Sequence, residues 1–347
     1  MRPSDPTFGQ VASFPALVAA ARKAARTHMR SAEVAGFLLD LEPEVLRLER
    51  ELVDGTYQPR PYRTFFIREP KPRTISAAAF RDRVVHHALC TVLEPVLEAQ
   101  ASPASFACRR AGGVLAALRH VRRLTRRHPY VLRLDILHFF ETLDHAVLKR
   151  LLGRRVRDPR LRELLALFID MGAPGSPPGR GLPIGNLTSQ HFANFYLGPL
   201  DRLFTKGLGL SGHARYMDDI VVFGGSRDVL WQAWHEADRF VGESLGLVLK
   251  PEVTRVLPVA TGVPFLGFVV FPGVVRMDPA RVRRWRRKMR HLQRGWVVGR
   301  LSEDQAQRSA DSLLGWAAHG DTFGMRRSWA LRRLGETRRW ELPVEVR

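Results

Sequence analysis

Two adjacent acids between a pair of apolar strand-like runs constrain this chain more than any other feature. His213-Ala214-Arg215-Tyr216 and Ile220-Val221-Val222-Phe223 are rich in residues that favour strands, and Met217-Asp218-Asp219 stands between them. Runs separated by so few residues close as an antiparallel hairpin with the acids at its turn. Ionised carboxylates held among buried strands lose hydration at a cost, so such a pair calls for a compensating partner. An acidic turn on the surface is the plainer alternative, and the apolar flanks on both sides count against it.

A third acid follows another short apolar run. Tyr130-Val131-Leu132-Arg133-Leu134 reads as a strand ending at Asp135-Ile136, with Phe139-Phe140 after it and a helix capped near Asp144. If that strand pairs with the hairpin, three carboxylates meet at one sheet edge, where they raise each other's pKa values unless cations intervene. Magnesium suits such a site, because it takes a few carboxylates and fills its other positions with water and phosphate oxygens. Two such ions, roughly 3.5–4 Å apart, would activate a 3′-hydroxyl and stabilise a departing pyrophosphate.

The remaining pattern surrounds these segments with helices. Helical spacing of Phe14, Leu17, Val18 and Ala21, then of Val34, Phe37, Leu38 and Leu41, fills residues 9–55, with Ser31 as an N-cap. From Tyr57 to Ile75 the chain reads as an extended hairpin whose tip carries Lys71 and Arg73. Helices are expected over 81–98, 113–127 and around Leu161–Phe168, the last stopped by Gly172 and a Gly/Pro loop to Pro183. Ser189 to Lys206 reads as one amphipathic core helix, and 228–245 as another. Gly246–Leu249 and Phe265–Val270 read as strands. The order β-α-β-β-α-β is that of a split ferredoxin-like unit, so the fold class is α+β.

Composition then narrows the partners. The chain has 347 residues, 45% of them hydrophobic, enough for two or three packed units. A formal charge of +21, with a pI near 11.3, repels itself unless a polyanion neutralises it, which points to nucleic acid before a membrane surface. The densest basic block, Arg281 to Arg290, offers Arg281, Arg284, Arg287 and Lys288 to a phosphate backbone, with Trp285 as one aromatic contact. A solvated helix face is the other reading of that block. Trp285, Trp296, Trp316, Trp329 and Trp340 are expected as core or nucleic-acid contacts. No long apolar run and no secretory leader are visible, so a cytoplasmic location is expected. Cys90 and Cys108 lack metal spacing and are expected as buried thiols.

Tyr216-Met217-Asp218-Asp219, and Asp135-Ile136 followed by Phe139-Phe140, resemble the two metal-binding motifs of reverse transcriptases. Pro70-Lys71-Pro72-Arg73 and Phe80-Arg81-Asp82-Arg83-Val84-Val85-His86-His87 are similar to the fingers motifs of the bacterial members. Gly262-Val263-Pro264-Phe265-Leu266-Gly267-Phe268 resembles the primer-grip hairpin. Most of the superfamily has Pro-Gln-Gly in the nucleotide pocket and ends that motif Ser-Pro. Leu182-Pro183-Ile184-Gly185-Asn186-Leu187-Thr188-Ser189-Gln190 instead resembles the reverse transcriptases of diversity-generating retroelements, within the group II intron-like superfamily. Relatives usually carry Gly-Lys-Gly where this chain has Ala111-Gly112-Gly113, and a lysine before the threonine that Val253-Thr254 lacks. Lys250 is the candidate for protonating the leaving pyrophosphate.

The resemblance implies a right-hand polymerase fold. Residues 1–128 would be the fingers, 129–270 a ferredoxin-like palm with a helical part at 145–206, and 271–347 a short basic helical thumb without room for a nuclease domain. It implies RNA-directed DNA polymerisation with two Mg2+ ions, Mn2+ being possible in their place, held by Asp135, Asp218, Asp219 and the backbone carbonyl of Ile136. Lys71, Arg73, Arg83, Phe140, Ile184, Gly185 and Gln190 would bind the nucleotide. Phe265, Leu266 and Gly267 would hold the primer. Template RNA, the cDNA strand and a small basic oligomeric accessory protein are the implied partners, and errors at template adenines the implied outcome. A reverse transcriptase of another bacterial lineage, or a non-catalytic RNA-binding scaffold, is the competing reading.

Overall fold

The computed structural model describes residues 5–26, 29, 31–68, 72–210 and 212–331. Helices α1 (Phe8–Ala12), α2 (Phe14–Ala25), α3 (Ala32–Leu39) and α4 (Leu41–Val53) precede the strands β1 (Arg63–Ile67) and β2 (Arg73–Ala77). Then come α5 (Phe80–Gln100), α6 (Val114–Leu124), β3 (Tyr130–Leu134), α7 (Phe139–Thr142), α8 (His145–Gly153), α9 (Pro159–Asp170), α10 (Leu187–Tyr196) and α11 (Gly198–Arg202). The hairpin β4 (His213–Tyr216) and β5 (Asp219–Gly224) is followed by α12 (Arg227–Leu245), β6 (Arg255–Pro258), β7 (Val263–Phe265), β8 (Phe268–Val270) and β9 (Val275–Met277). Helices α13 (Pro279–Val297), α14 (Glu303–Ala317) and α15 (Phe323–Leu331) close the described chain. Two compact units result, the first from Met1–Pro103, Asp135–Gly207 and His235–Glu252, the second from Ala104–Leu134, Leu208–Trp234 and Val253–Arg347.

The first unit is built on α5, against which α2 and α10 pack. Its buried Val84, Val85, Ala88, Leu89 and Leu93 repeat at helical spacing, which is why the helix presents a continuous apolar stripe. The chain entering β1 is tied to that helix by the buried Asp82, which accepts from the Tyr57 hydroxyl at 2.7 Å and the Arg60 amide at 2.9 Å. β1 and β2 pair antiparallel from Arg63↔Ala77 to Ile67↔Arg73. Lys71, with the rest of the hairpin tip, lies outside the described residues, as do Trp340 and the side chain of Trp329.

The second unit carries an antiparallel sheet in the order β4-β5-β3-β6 and a smaller one in the order β7-β8-β9. Its core takes Val131 of β3 and Val221 and Phe223 of β5, together with Phe265, Phe268, Trp285, Met289 and Leu314. Ile220 and Val222, on the opposite face of β5, are equally buried, so the strand reads as an apolar run and not as an alternation.

Three expectations need correction. Gly246–Leu249 is not a strand: Gly246 takes a φ of 62°, and the Leu247 amide bonds back to the Val241 carbonyl, a left-handed cap that ends α12. The sheet position beside β3 belongs to β6, from Tyr130↔Pro258 to Arg133↔Arg255. Phe265–Val270 is broken by Leu266 and Gly267, with φ of 51° and 80°, into the two-residue turn of a β7–β8 hairpin. The expected helix over 189–206 is also divided. α10 ends at Tyr196, Pro199 cannot donate a helical hydrogen bond as α11 begins, and Leu203–Gly207 winds as a wider π turn. Its apolar face survives in the buried Phe192, Tyr196, Leu200 and Phe204. Cys90 is buried and Cys108 half-buried, both as thiols. Among the described residues no helix is long and apolar enough to cross a membrane.

Candidate active site

The acidic hairpin closes tightly. Tyr216 pairs with Asp219, which leaves Met217 and Asp218 alone to reverse the chain. Met217 takes a φ of 55°, a left-handed conformation that residues with a side chain rarely adopt. Both acids are half-buried. Beneath the turn lies Arg215, 1% exposed, whose Nη1 donates to the Met217 carbonyl at 3.3 Å. Asp219 is held from another element, because its Oδ2 accepts the Leu266 amide at 3.2 Å. The residues expected to grip the primer, Phe265, Leu266 and Gly267, therefore form the hairpin end that binds one of the acids.

Gly267 is favoured there by its backbone angle, and its lack of a side chain leaves room for Arg281. A Cβ on it would fall 2.1–2.6 Å from the Arg281 side chain, which lies across it. The Arg281 guanidinium sits 5.2 Å from the centre of the Trp316 ring. Burial, and then the neighbouring Arg284, lower its pKa from the usual arginine value, while Asp278 and Asp219 act the other way. Arg281 is thus packed against the hairpin turn, whereas Arg287 and Lys288 stand exposed on α13 and Arg284 is half-buried. Trp285 is not an open aromatic contact: its Nε1 donates to the Leu313 carbonyl at 3.0 Å inside the core.

Asp135 follows directly on β3. The last ladder pair of that strand with β5 is Leu134↔Ile220; Asp135 is the covalent neighbour of Leu134, and Asp219 of Ile220. The backbone after β3 is fixed by the segment that follows α12. The Lys250 amide donates to the Asp135 carbonyl at 2.8 Å and the Leu137 amide to the Val248 carbonyl at 2.9 Å, flanking an Ile136↔Leu249 bridge. Phe139 is buried against Tyr196, while Phe140, its ring 5.6 Å away, stays half-exposed. Among the described residues no three His, Cys, Asp or Glu side chains are gathered as a metal centre. The donor set expected from the sequence, three carboxylates and a backbone carbonyl, is all oxygen, which is the chemistry a hard divalent cation takes.

Of the residues expected to bind a nucleotide, Arg83, Ile184 and Gly185 line two clefts of the first unit, and Phe140 lines neither. Ile184 lines one of about 470 Å³ with Thr74, Ser76 and His138. Its carbonyl accepts the Ser76 amide at 2.8 Å, so β2 sits on this loop. Arg83 and Gly185 line another of about 520 Å³ with Phe65, His86 and Asn186. Gly185 touches β2, since a Cβ there would lie 2.8 Å from the Ile75 side chain. Arg73 and Gln190 are exposed. Asn186, 3% exposed, has an amide nitrogen without a hydrogen-bond partner among the described residues, and so has His86 at its Nε2. Arg215 and Asn186 were not among the residues expected at the site. Asn186 stands in the variant pocket motif, where its position ahead of α10 could have marked it; for Arg215 a polar residue in an apolar strand was the one available signal.

A family model described as reverse transcriptase (RNA-dependent DNA polymerase) matches residues 67–270. Protein YkfC of Escherichia coli is 32% identical over 189 residues, 51% of this chain and 49% of that protein. The group II intron-encoded protein LtrA of Lactococcus lactis is 26% identical over 168 residues, 46% of this chain and 28% of LtrA. The chain therefore spans about half the length of the first of these relatives and less of the second. Among solved structures, apo telomerase from Candida tropicalis aligns with a TM-score of 0.50 at 13% identity, covering 64% of this chain and 49% of that one. At that identity the shared property is the fold, the mixed helix-and-sheet fold of these polymerases.

Proposed function

The chain belongs to the reverse transcriptase (RNA-dependent DNA polymerase) family, and on that footing we propose that it copies RNA into DNA by adding deoxynucleotides to a primer 3′-hydroxyl, with Asp135, Asp218 and Asp219 as its catalytic acids. The observation that carries this reading is the pairing Leu134↔Ile220, whose covalent neighbours are Asp135 and Asp219. Two Mg2+ ions, or Mn2+, held by the three carboxylates and the Ile136 carbonyl would activate the hydroxyl and stabilise the departing pyrophosphate.

The chain's own residues supply position and charge. Lys71, Arg73 and Arg83 neutralise the incoming triphosphate, and Phe140 excludes a 2′-hydroxyl by contact with the sugar. Phe265, Leu266 and Gly267 hold the primer end, and the bond from the Leu266 amide to Asp219 keeps primer and acid in register. Arg284, Arg287 and Lys288 track the duplex backbone. In this reading 1–128 are fingers, 129–270 palm and 271–347 thumb.

The finer proposal is a diversity-generating retroelement enzyme that miscopies template adenines, assisted by a small basic oligomeric accessory protein. Support comes from the Ile184-Gly185 variant with Gln190: an isoleucine offers no side-chain amide to the nucleotide or template, which leaves shape as the main check on pairing. The test is to sequence cDNA made on a defined RNA containing adenines. Errors concentrated at adenine, and reduced in Ile184→Gln, are expected. Accurate copying by both proteins removes the finer proposal, and the absence of any cDNA removes the coarser one.

A further inference from the structure

We propose that Arg215 is a positioning residue for the acidic turn: its guanidinium holds Met217 in the left-handed conformation and so fixes the direction of the Asp218 and Asp219 side chains. This rests on the polymerase reading above. Arg215 is among the largest fully buried side chains described in the chain, and a charged side chain is rarely buried so completely without a task for its donors. One such task is visible in the Nη1 bond to the Met217 carbonyl.

The strand is also held by backbone bonds in which that side chain takes no part. The Arg215 amide donates to the Ala104 carbonyl at 2.8 Å, its carbonyl accepts the Phe106 amide at 3.0 Å, and it stands opposite Ile220 on β5. Met217, by contrast, must hold a φ of 55° in a turn of two residues. A residue with a Cβ reaches that conformation at a cost, and without an external bond the turn relaxes toward other geometries. The Leu266 amide anchors Asp219 from one side, and the guanidinium anchors Met217 from the other, so Asp218 is carried between two fixed points. Displacement of a reacting group by an ångström is enough to slow a reaction by about a hundredfold.

The experiment compares wild type with Arg215→Met, Arg215→Lys, Met217→Gly and the two double variants, in steady-state incorporation on primed RNA. Arg215→Met should lower kcat by roughly ten- to a hundredfold with the deoxynucleotide KM within about twofold, and Arg215→Lys should fall between it and wild type. Adding Met217→Gly, which reaches the left-handed turn unaided, should return much of the lost kcat. A parallel readout without turnover is the rise in unfolding temperature on adding Mg2+. In Arg215→Met it should need more metal than in wild type, and in the double variant less than in Arg215→Met. If Arg215→Met does not fold, the Lys pair carries the same comparison. A wild-type kcat in Arg215→Met, or a loss that Met217→Gly leaves unchanged, overturns the assignment. An inactive wild type would refute the polymerase reading instead, and the metal titration would still decide for or against Arg215.

Discussion

His86 is 2% exposed, with its ring 4.4 Å from that of Phe168, edge to face. Burial pushes its pKa down to about 3, helped by His87 and Arg83, and burial with Lys23 and Arg83 pushes that of His87 down to about 4. Unfolded, both would titrate near the ordinary histidine value of about 6.5. Between those limits the unfolded chain binds more protons, so the contribution to stability is complete above about pH 6.5 and is lost progressively as the pH falls toward the folded values. The unfolding temperature of wild type should therefore drop more between about pH 7.5 and about pH 5 than that of His86→Phe. Equal drops would show that His86 is not a source of the acid sensitivity. At this scale the strand-end positions of the three acids were legible because each stands at the border of an apolar run. Arg215 and Asn186 were not, because their burial comes from distant segments: Ala104 and Phe106 flank the backbone of one, and β2 adjoins the loop that holds the other.

At the scale of elements, Ser31 and Asp144 were expected to cap helices: both stand at helix starts, but Ser31 makes no side-chain cap bond, and the other side-chain caps were not anticipated. Asp144 accepts from Val147, Asp158 from Leu161, and Asp278 from Ala280 and Arg281, while Ser302 and Gln305 form a reciprocal box. The strands after α12 were not legible, because Gly246 and Gly267 look alike in sequence. One terminates a helix and the other turns a hairpin. Gly267→Ala should cost about 2–3 kcal/mol of stability, since the residue must hold a φ of 80° and displace Arg281. Denaturant titration reads this directly, and a loss within about 0.5 kcal/mol would mean that Arg281 packs there loosely.

For the whole molecule, an excess of +21 charges favours a polyanionic partner, and part of that charge lies on the exposed face of α13. Replacing Arg287 and Lys288 together by Ala should weaken binding to primed RNA of any sequence and lower the salt-dependence slope by roughly two. An unchanged slope would remove both residues from the interface. The α+β class and the acidic hairpin were legible from pattern alone, whereas the division into two interleaved units was not, because each is assembled from three stretches of chain. The central claim turns on Asp135, the acid contributed from outside the hairpin. The direct measurement is single-nucleotide extension of a primer on RNA, with deoxynucleotide and Mg2+, by wild type and by Asp135→Asn. Extension by wild type that vanishes in the variant, while RNA binding persists, is the expected result. Extension that survives in Asp135→Asn would contradict it.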